Sequence, residues 1–262
     1  MKFIHLSDTH LLPKSETIIG IDACDRLEVA VESISRDFSD AAFCIITGDL
    51  TDRGDPQSYR EFIRILDRLP IPWYALMGNH DERHVAKEEL PDLPWCSDGY
   101  LYYEFATEVG QFVVLDSLVD MDTSYLSKEQ LDWLDGCLAR ARAAQKSVYL
   151  FVHHVSFDIG IPWLDEQYNM NNGDELGAIL KKHNNVRHLF CGHVHRPIHG
   201  SWQGIPFSTV RSTCHQVALK LTGEKVIFTD EPPSYAVVLL RDNRVVIHDH
   251  NFLGEQIEFP DY

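Results

Sequence analysis

The sequence predicts an α/β fold whose sheets are covered by helices, completed by a β-rich C-terminal portion. Three observations carry this. Apolar runs of strand length recur as far as about residue 195: KFIHLSD, AFCIITGD, WYALMGNHD, FVVLDS, SVYLFVHH and RHLFCGH. Segments with helical period lie between most of them, and buried strands alternating with amphipathic helices are the signature of the class. From about residue 205 to 262 the pattern changes to PFSTVRS, KVIFT, YAVVLLRDN and RVVIHDHNF, strands joined by turns with no long helix.

The helices follow in chain order. Asp22 or Asp25 caps a helix with Leu27, Ala30, Val31 and Ile34 on one face. Asp55-Pro56 opens the next, with Tyr59, Phe62, Ile63, Leu66 and Leu69 behind it. Ser127-Lys128-Glu129-Gln130 fits a capping box before Leu131, Leu134 and Leu138. Asp174 starts a shorter helix with Leu176, Ile179 and Leu180. The segment from Val155 to Asn172, carrying Trp163, Tyr168 and Met170, is long for a connection and is expected to wall a pocket. No linker divides the chain, so residues 1–262 are read as one domain, whose late strands complete a sheet edge and offer a surface for self-association to a homo-oligomer.

Composition narrows the function. The formal charge is -17 over 262 residues. An acidic surface repels polyanions and removes the main electrostatic term of nucleic-acid affinity, so polymeric nucleic acid is not the expected partner. A small anion remains compatible where bound cations reverse the local field. Met1-Lys2 leads straight into Phe3, Ile4 and Leu6 and then polar Ser7 and Asp8, too short for a signal core, and no run reaches membrane-spanning length. Cys44 and Cys191 lie inside apolar runs, where a reduced buried thiol is expected, and a cytoplasmic protein with no membrane association follows.

The ends of the strands carry the chemistry. KFIHLSD ends in Asp8-Thr9-His10, AFCIITGD in Gly48-Asp49, WYALMGNHD in Gly78-Asn79-His80-Asp81, SVYLFVHH in His153-His154, and RHLFCGH in Gly192-His193-Val194-His195. Each alone is weak: a Gly-Asp is usually a turn, and His193 and His195, read as strand residues with side chains on one side, are two of fourteen histidines. Together at one edge of a sheet, where α/β folds gather ligands, they make a metal centre. Carboxylate, carboxamide and imidazole without thiolate suit Mn, Fe, Co or Zn, and there are too many ligands for one tetrahedral ion. Two ions sharing one carboxylate use them all, the usual apparatus for displacement at phosphorus.

DTH, GDLTD, GNHD, the HH pair and GHVH, in this order, resemble the signature blocks of the calcineurin-like metallophosphoesterases, within which the chain is similar to the bacterial glycerophosphodiesterase and class III cyclic nucleotide phosphodiesterase branch, and STCHQV extends the likeness to the glycerophosphodiesterase-type members. The resemblance implies a β-sandwich of two mixed sheets flanked by helices. It implies a first metal on Asp8, His10, Asp49 and His195, and a second on Asp49, Asn79, His153 and His193, with Asp49 as the bridge. His80 resembles the histidine that faces substrate without binding metal, and Asn79, His80 and His215 are the expected substrate contacts. The fourth block departs from the family's H-x-P, reading His153-His154-Val155, so His154 stays open as the ligand. The implied reaction is attack of a metal-bound hydroxide on the phosphorus of a small diester, a glycerophosphodiester or cyclic nucleotide. A phosphomonoesterase with the same metals, or a binding scaffold of the same fold, are the rivals.

Other groups are read as structural. His248-Asp249-His250 lies in a late strand without a glycine turn and is expected to be solvated, and His5 is expected in the core. His84, His183, His188 and His199 are taken as surface residues. Asp52 and Asp81 either stabilise turns or brace the ligands. Pro232-Pro233 marks a turn.

Overall fold

All six apolar runs become strands, because most of their residues are buried. The runs FVVLDS and SVYLFVHH alternate between two cores: Phe112, Val114, Tyr149 and Phe151 belong to one hydrophobic cluster, while Val113, Leu115, Leu150 and Val152 belong to another. A computed structural model describes residues 1–241 and 244–254. Its elements are β1 (Lys2–Leu6), α1 (Ala23–Asp37), β2 (Cys44–Thr47), α2 (Pro56–Leu66), β3 (Trp73–Leu76), α3 (Arg83–Glu89), β4 (Tyr103–Thr107), β5 (Gly110–Val114), α4 (Lys128–Ala143), β6 (Val148–Val152), α5 (Pro162–Gln167), α6 (Gly173–His183), β7 (Val186–Cys191), β8 (His199–Trp202), β9 (Ile205–Thr209), β10 (Gln216–Val217), β11 (Phe228–Thr229), β12 (Ser234–Arg241) and β13 (Arg244–Asn251).

Two mixed sheets result. The first runs β13-β12-β1-β2-β3 and the second β4-β5-β6-β7-β9-β8, with a separate ribbon of β10 and β11. β1, β2 and β3 are mutually parallel, as are β5, β6 and β7, and the outer strands β12, β13, β4 and β8 pair antiparallel. The sheets face each other across stacked and edge-on rings: Phe3 lies 5.0 Å from Phe43 and 5.5 Å from Phe190, and Phe151 lies 4.8 Å from Phe190. The second cluster closes the outer face of the second sheet with Leu134 and Leu138 of α4 and Leu176 and Leu180 of α6.

The caps settle several local readings. Asp22, not Asp25, caps α1, accepting from the amides of Cys24 and Asp25. Asp55 caps α2 ahead of Pro56. Ser127 caps α4, but only half of the capping box forms: the Gln130 amide turns away and exchanges hydrogen bonds of 2.7 and 2.8 Å with the backbone of Asp116. α6 starts at Gly173, with Asn172 in the cap position, one residue before the predicted start.

Sequence periodicity did not reveal α3, α5, β4, β8 or β10, which are short or only half-buried. KVIFT keeps just two strand residues, in β11. The β-rich portion divides, with β9 joining the second sheet and β12 and β13 the first. Residues 242–243, the turn of YAVVLLRDN, and residues 255–262, the end of that portion, lie outside the described residues. His183 and His188 are buried, not surface residues, bonded to Asp135 at 2.8 Å and Ser208 at 2.9 Å. His5 is in the core against Thr47 at 2.8 Å, and His248 is exposed, as expected. Among the described residues no helix is long and apolar enough to cross a membrane.

Candidate metal centre

Parallel strands end side by side, so β1, β2, β3, β6 and β7 deliver Asp8 and His10, Asp49, Asn79 and His80, His153, and His193 and His195 to one edge. The chain must turn sharply there. Asp8, His10, Asp49, His193 and His195 have φ of 54°, 45°, 50°, 73° and 48°, left-handed conformations that disfavour residues with a Cβ by about 1–2 kcal/mol each. Such strain collects at functional sites. His193 and His195 therefore do not share one side of a strand: β7 stops at Cys191, and the two imidazoles turn into different clusters. Glycine is required beside them, since a Cβ on Gly192 would overlap Ser7 Oγ and the Thr47 carbonyl, and one on Gly78 would overlap Asp49.

The side chains form two adjoining groups. In the first, His10 Nε2 and His195 Nε2 are 3.0 Å apart, His10 Nε2 is 3.4 Å from Asp49 Oδ2, and His195 Nε2 is 3.4 Å from Asp8 Oδ1. In the second, Asn79 Oδ1 is 3.2 Å from His153 Nε2 and 3.0 Å from His193 Nδ1, and His153 Nε2 is 3.4 Å from Asp49 Oδ1. Asp49 thus presents one oxygen to each group. His154 lies beside the second group, with its Nδ1 on Ser117 Oγ at 2.8 Å.

The protonation pattern tests whether this set fits metal. His195 Nδ1 contacts the His215 carbonyl at 2.8 Å and His153 Nδ1 the Thr47 carbonyl at 2.7 Å; carbonyls only accept, so both Nδ1 atoms donate. His10 Nδ1 likewise faces the Asp52 carboxylate at 3.1 Å. In each neutral ring Nε2 is then a bare lone pair, and these lone pairs converge with carboxylate oxygens in a buried volume. Such an array suits cations, so the residues fit a pair of metal ions, and the buried His/Asp clusters are consistent with a dimetal site.

Electrostatics agree. Burial opposes the charge on Asp8, but His195 outweighs it and brings the carboxyl down to about 2. Asp49, with His153 and His80 against it, also lies well below the usual carboxylate range despite burial. Burial lowers His10 and brings His193 down to about 3, keeping both rings neutral. Burial opposes a proton on His153 too, yet Asp49 and Asp8 push it up to about 9, so without metal this ring holds the proton that a cation would displace. Asp81 is a brace: its carboxylate accepts from the amides of Leu50, Thr51 and Gly78 and from Tyr59 Oη, locking the Asp49 loop to the Asn79 loop.

A cleft of about 220 Å³ opens onto these groups. His80 lines it, its Nδ1 donating to the Asp52 carbonyl at 2.9 Å, and His215 lines it with its ring while its carbonyl holds His195. Trp163 and Tyr168 form one wall as expected; Met170 instead points into the core. Ile18, Leu164, Val217, Val226 and Phe228 also line it. Sequence reasoning missed these, and only the aromatic character of Phe228 in a short strand hinted at any of them. Of the nearest arginines in sequence, Arg83 and Arg196 are committed to Asp116 and Glu231, whereas Arg53 makes an exposed pair with Glu16.

Residues 1–197 match the family model described as calcineurin-like phosphoesterase. The chain is 36% identical to a probable cyclic nucleotide phosphodiesterase of Rhodopseudomonas palustris, over 97% of this chain and 93% of that one. It is 33% identical to a probable glycerophosphodiester phosphodiesterase of Arcobacter nitrofigilis, over 97% and 94%. Among solved structures, a dimetal phosphatase from Danio rerio superposes with a TM-score of 0.74 at 16% identity, covering 96% of each chain, which shows a shared fold.

Proposed function

This chain belongs to the calcineurin-like phosphoesterases, and from that premise we propose that it is a dimetal phosphodiesterase of small diesters, cyclic nucleotides or glycerophosphodiesters among them. The observation that carries the reading is Asp49 standing between two buried imidazole and carboxylate groups at the foot of a cleft lined by no lysine or arginine among the described residues.

Asp8, His10 and His195 would hold one ion and Asn79, His153 and His193 the other, with Asp49 shared. Mn, Fe, Co or Zn suit a donor set of oxygen and imidazole without thiolate. Bound there, the ions supply Lewis acidity at the phosphoryl oxygens and bring the pKa of water toward neutrality. The chain's own part is to orient and to move a proton. His80 is anchored through Nδ1, which leaves Nε2 to face the substrate. Burial works against a charged His80, but Asp49 and the Asp52 carbonyl outweigh it and hold the ring above the ordinary histidine range. It is the group to hydrogen-bond or protonate a departing alkoxide. Asn79 and His215 border the same space.

A monoanionic diester suits a cleft without arginine better than a dianionic monoester does, and the full ligand set argues against a mere scaffold. The two hydrophobic clusters, which meet in the second sheet, support residues 1–262 as one catalytic unit, and six free cysteines suit a cytoplasmic setting. The test is a panel of matched substrates with Mn-reconstituted enzyme: kcat/KM for bis(p-nitrophenyl) phosphate is expected to exceed that for p-nitrophenyl phosphate, and the reverse order would favour the monoesterase. His80→Ala is expected to slow glycerophosphodiester hydrolysis about 10²–10⁴-fold, and bis(p-nitrophenyl) phosphate far less. Equal losses would remove the proton-donor role.

A further inference from the structure

Asn79 and His80 are lined by open space on two sides. On one side lies the cleft already described, whose walls are apolar and aromatic. Trp163 packs on Tyr168 with ring centres 4.8 Å apart, and Phe228 sets its ring edge-on to His215 at 4.9 Å, so two aromatic walls rise beside the ligand clusters from separate parts of the chain. On the other side is a second cleft of about 280 Å³, of opposite character, bordered by Arg53, Glu82, Arg83 and Asp120 with Met121 at its rim. Asn79 and His80 line both, so a phosphorus centre held beside them borders both clefts.

We propose that these are the two alcohol subsites for one asymmetric diester: a flat or apolar alcohol lies between Trp163 and Phe228, and a hydroxyl-bearing alcohol lies in the Arg53 cleft. This rests on the diesterase reading above and adds the chemical class of each arm. The cations of the polar cleft differ in freedom. Arg83 is fixed by Asp116 and the Leu118 carbonyl and stacks at 4.3 Å over Tyr100. Among the described residues Arg53 pairs only with Glu16, and their side chains are 55% and 50% exposed, a pair that contributes little and exchanges readily for another acceptor. Arg53 is the side chain free to receive a substrate hydroxyl. Glu82 and Asp120 add acceptors, which suits a neutral polyol and disfavours an anionic arm.

Four diesters test this by calorimetric dissociation constants on the metal-loaded enzyme: dimethyl, methyl phenyl, glyceryl methyl and glyceryl phenyl phosphate. Replacing a methyl by phenyl is expected to tighten binding about tenfold, from apolar burial and ring stacking, and replacing one by glyceryl about threefold to tenfold, the worth of a charge-assisted hydrogen bond net of ordering. In glyceryl phenyl phosphate the two factors multiply. Trp163→Ala and Phe228→Ala are expected to erase the phenyl factor and keep the glyceryl factor, and Arg53→Ala the converse, with thermal midpoints close to wild type for the exposed Phe228 and Arg53 and lowered for Trp163, which also packs on the second core. The proposal is overturned if the two-armed diester binds no tighter than the better one-armed diester, or if one substitution erases both factors. Product formation from the same four compounds bears separately on the diesterase reading: binding with the expected factors but no hydrolysis would sink that reading and keep the subsites.

Discussion

The two halves of the metal centre are built to different standards. In the first, His10 and His195 each have the ring nitrogen that faces away from the cluster held by an oxygen, from Asp52 and from the His215 carbonyl. In the second, His153 is held in that way by Thr47, but among the described residues His193 Nε2 is buried without a partner and the Asn79 amide nitrogen reaches only the sulfur of Met121, at 3.6 Å. Outer partners fix tautomer and orientation, and losing one costs about 10–100-fold in metal affinity. The first half is therefore expected to be the tighter site and the second the exchangeable one. Dinuclear symmetry in the ligand list conceals unequal preorganisation.

Asp49→Ala would erase the distinction, since it takes an oxygen from both halves. We expect loss of both ions by elemental analysis and a fall in activity on the order of 10³-fold or more, beyond the cost of a single outer partner. Retention of one ion at full occupancy would show that the halves are independent.

His153→Ala separates them. Its Nε2 faces Asn79 and Asp49, whereas His154 is occupied by Ser117, so we expect metal titrations to show the second ion weakened about 100-fold or more by His153→Ala and bound nearly as in wild type by His154→Ala. The opposite result would make His154 the ligand.

The asymmetry itself is tested by Asp52→Asn, which keeps the shape and weakens the acceptor on His10. Graded chelation of the wild type is expected to release the ions in two steps. The substitution should weaken the first ion about 10–100-fold and draw the steps together. A single release step in the wild type would break the comparison.

The smallest effect lies outside the centre. Burial brings His188 down to about 3 from 6.5, with a further push from His199. The folded ring refuses a proton that the unfolded chain accepts, so its contribution is intact above about 6.5 and stability declines as pH falls toward about 3. Between about pH 6 and 4, urea unfolding of the wild type should lose about 1.4 kcal/mol per pH unit more than His188→Gln. Parallel slopes would mean that His188 is protonated in the folded state.

Much of this was legible in the chain. Apolar runs long enough to be buried on both faces specify the strands whatever surrounds them, and the glycines and polar residues that end them mark where the backbone must turn. The ligand set could be read because it follows strand ends, and parallel strands bring their ends together. Shorter elements had a weaker signal: α5, Pro162–Gln167, is too short for periodicity to register, and the strand read in KVIFT shrinks to the two residues of β11, yet both carry cleft walls.

What the sequence determined by itself is local: strand, cap and turn chemistry, and donor types at the ends of strands. What only the tertiary structure decided is pairwise. His183 and His188 read as surface residues until partners distant in sequence covered them. His193 and His195 share a motif but serve different clusters, because left-handed turns redirect them. The Gln130 amide found the Asp116 backbone instead of its own helix cap. In each case the outcome depends on which group from a remote segment lies within hydrogen-bond distance, and a one-dimensional pattern records spacing along the chain, not proximity across it.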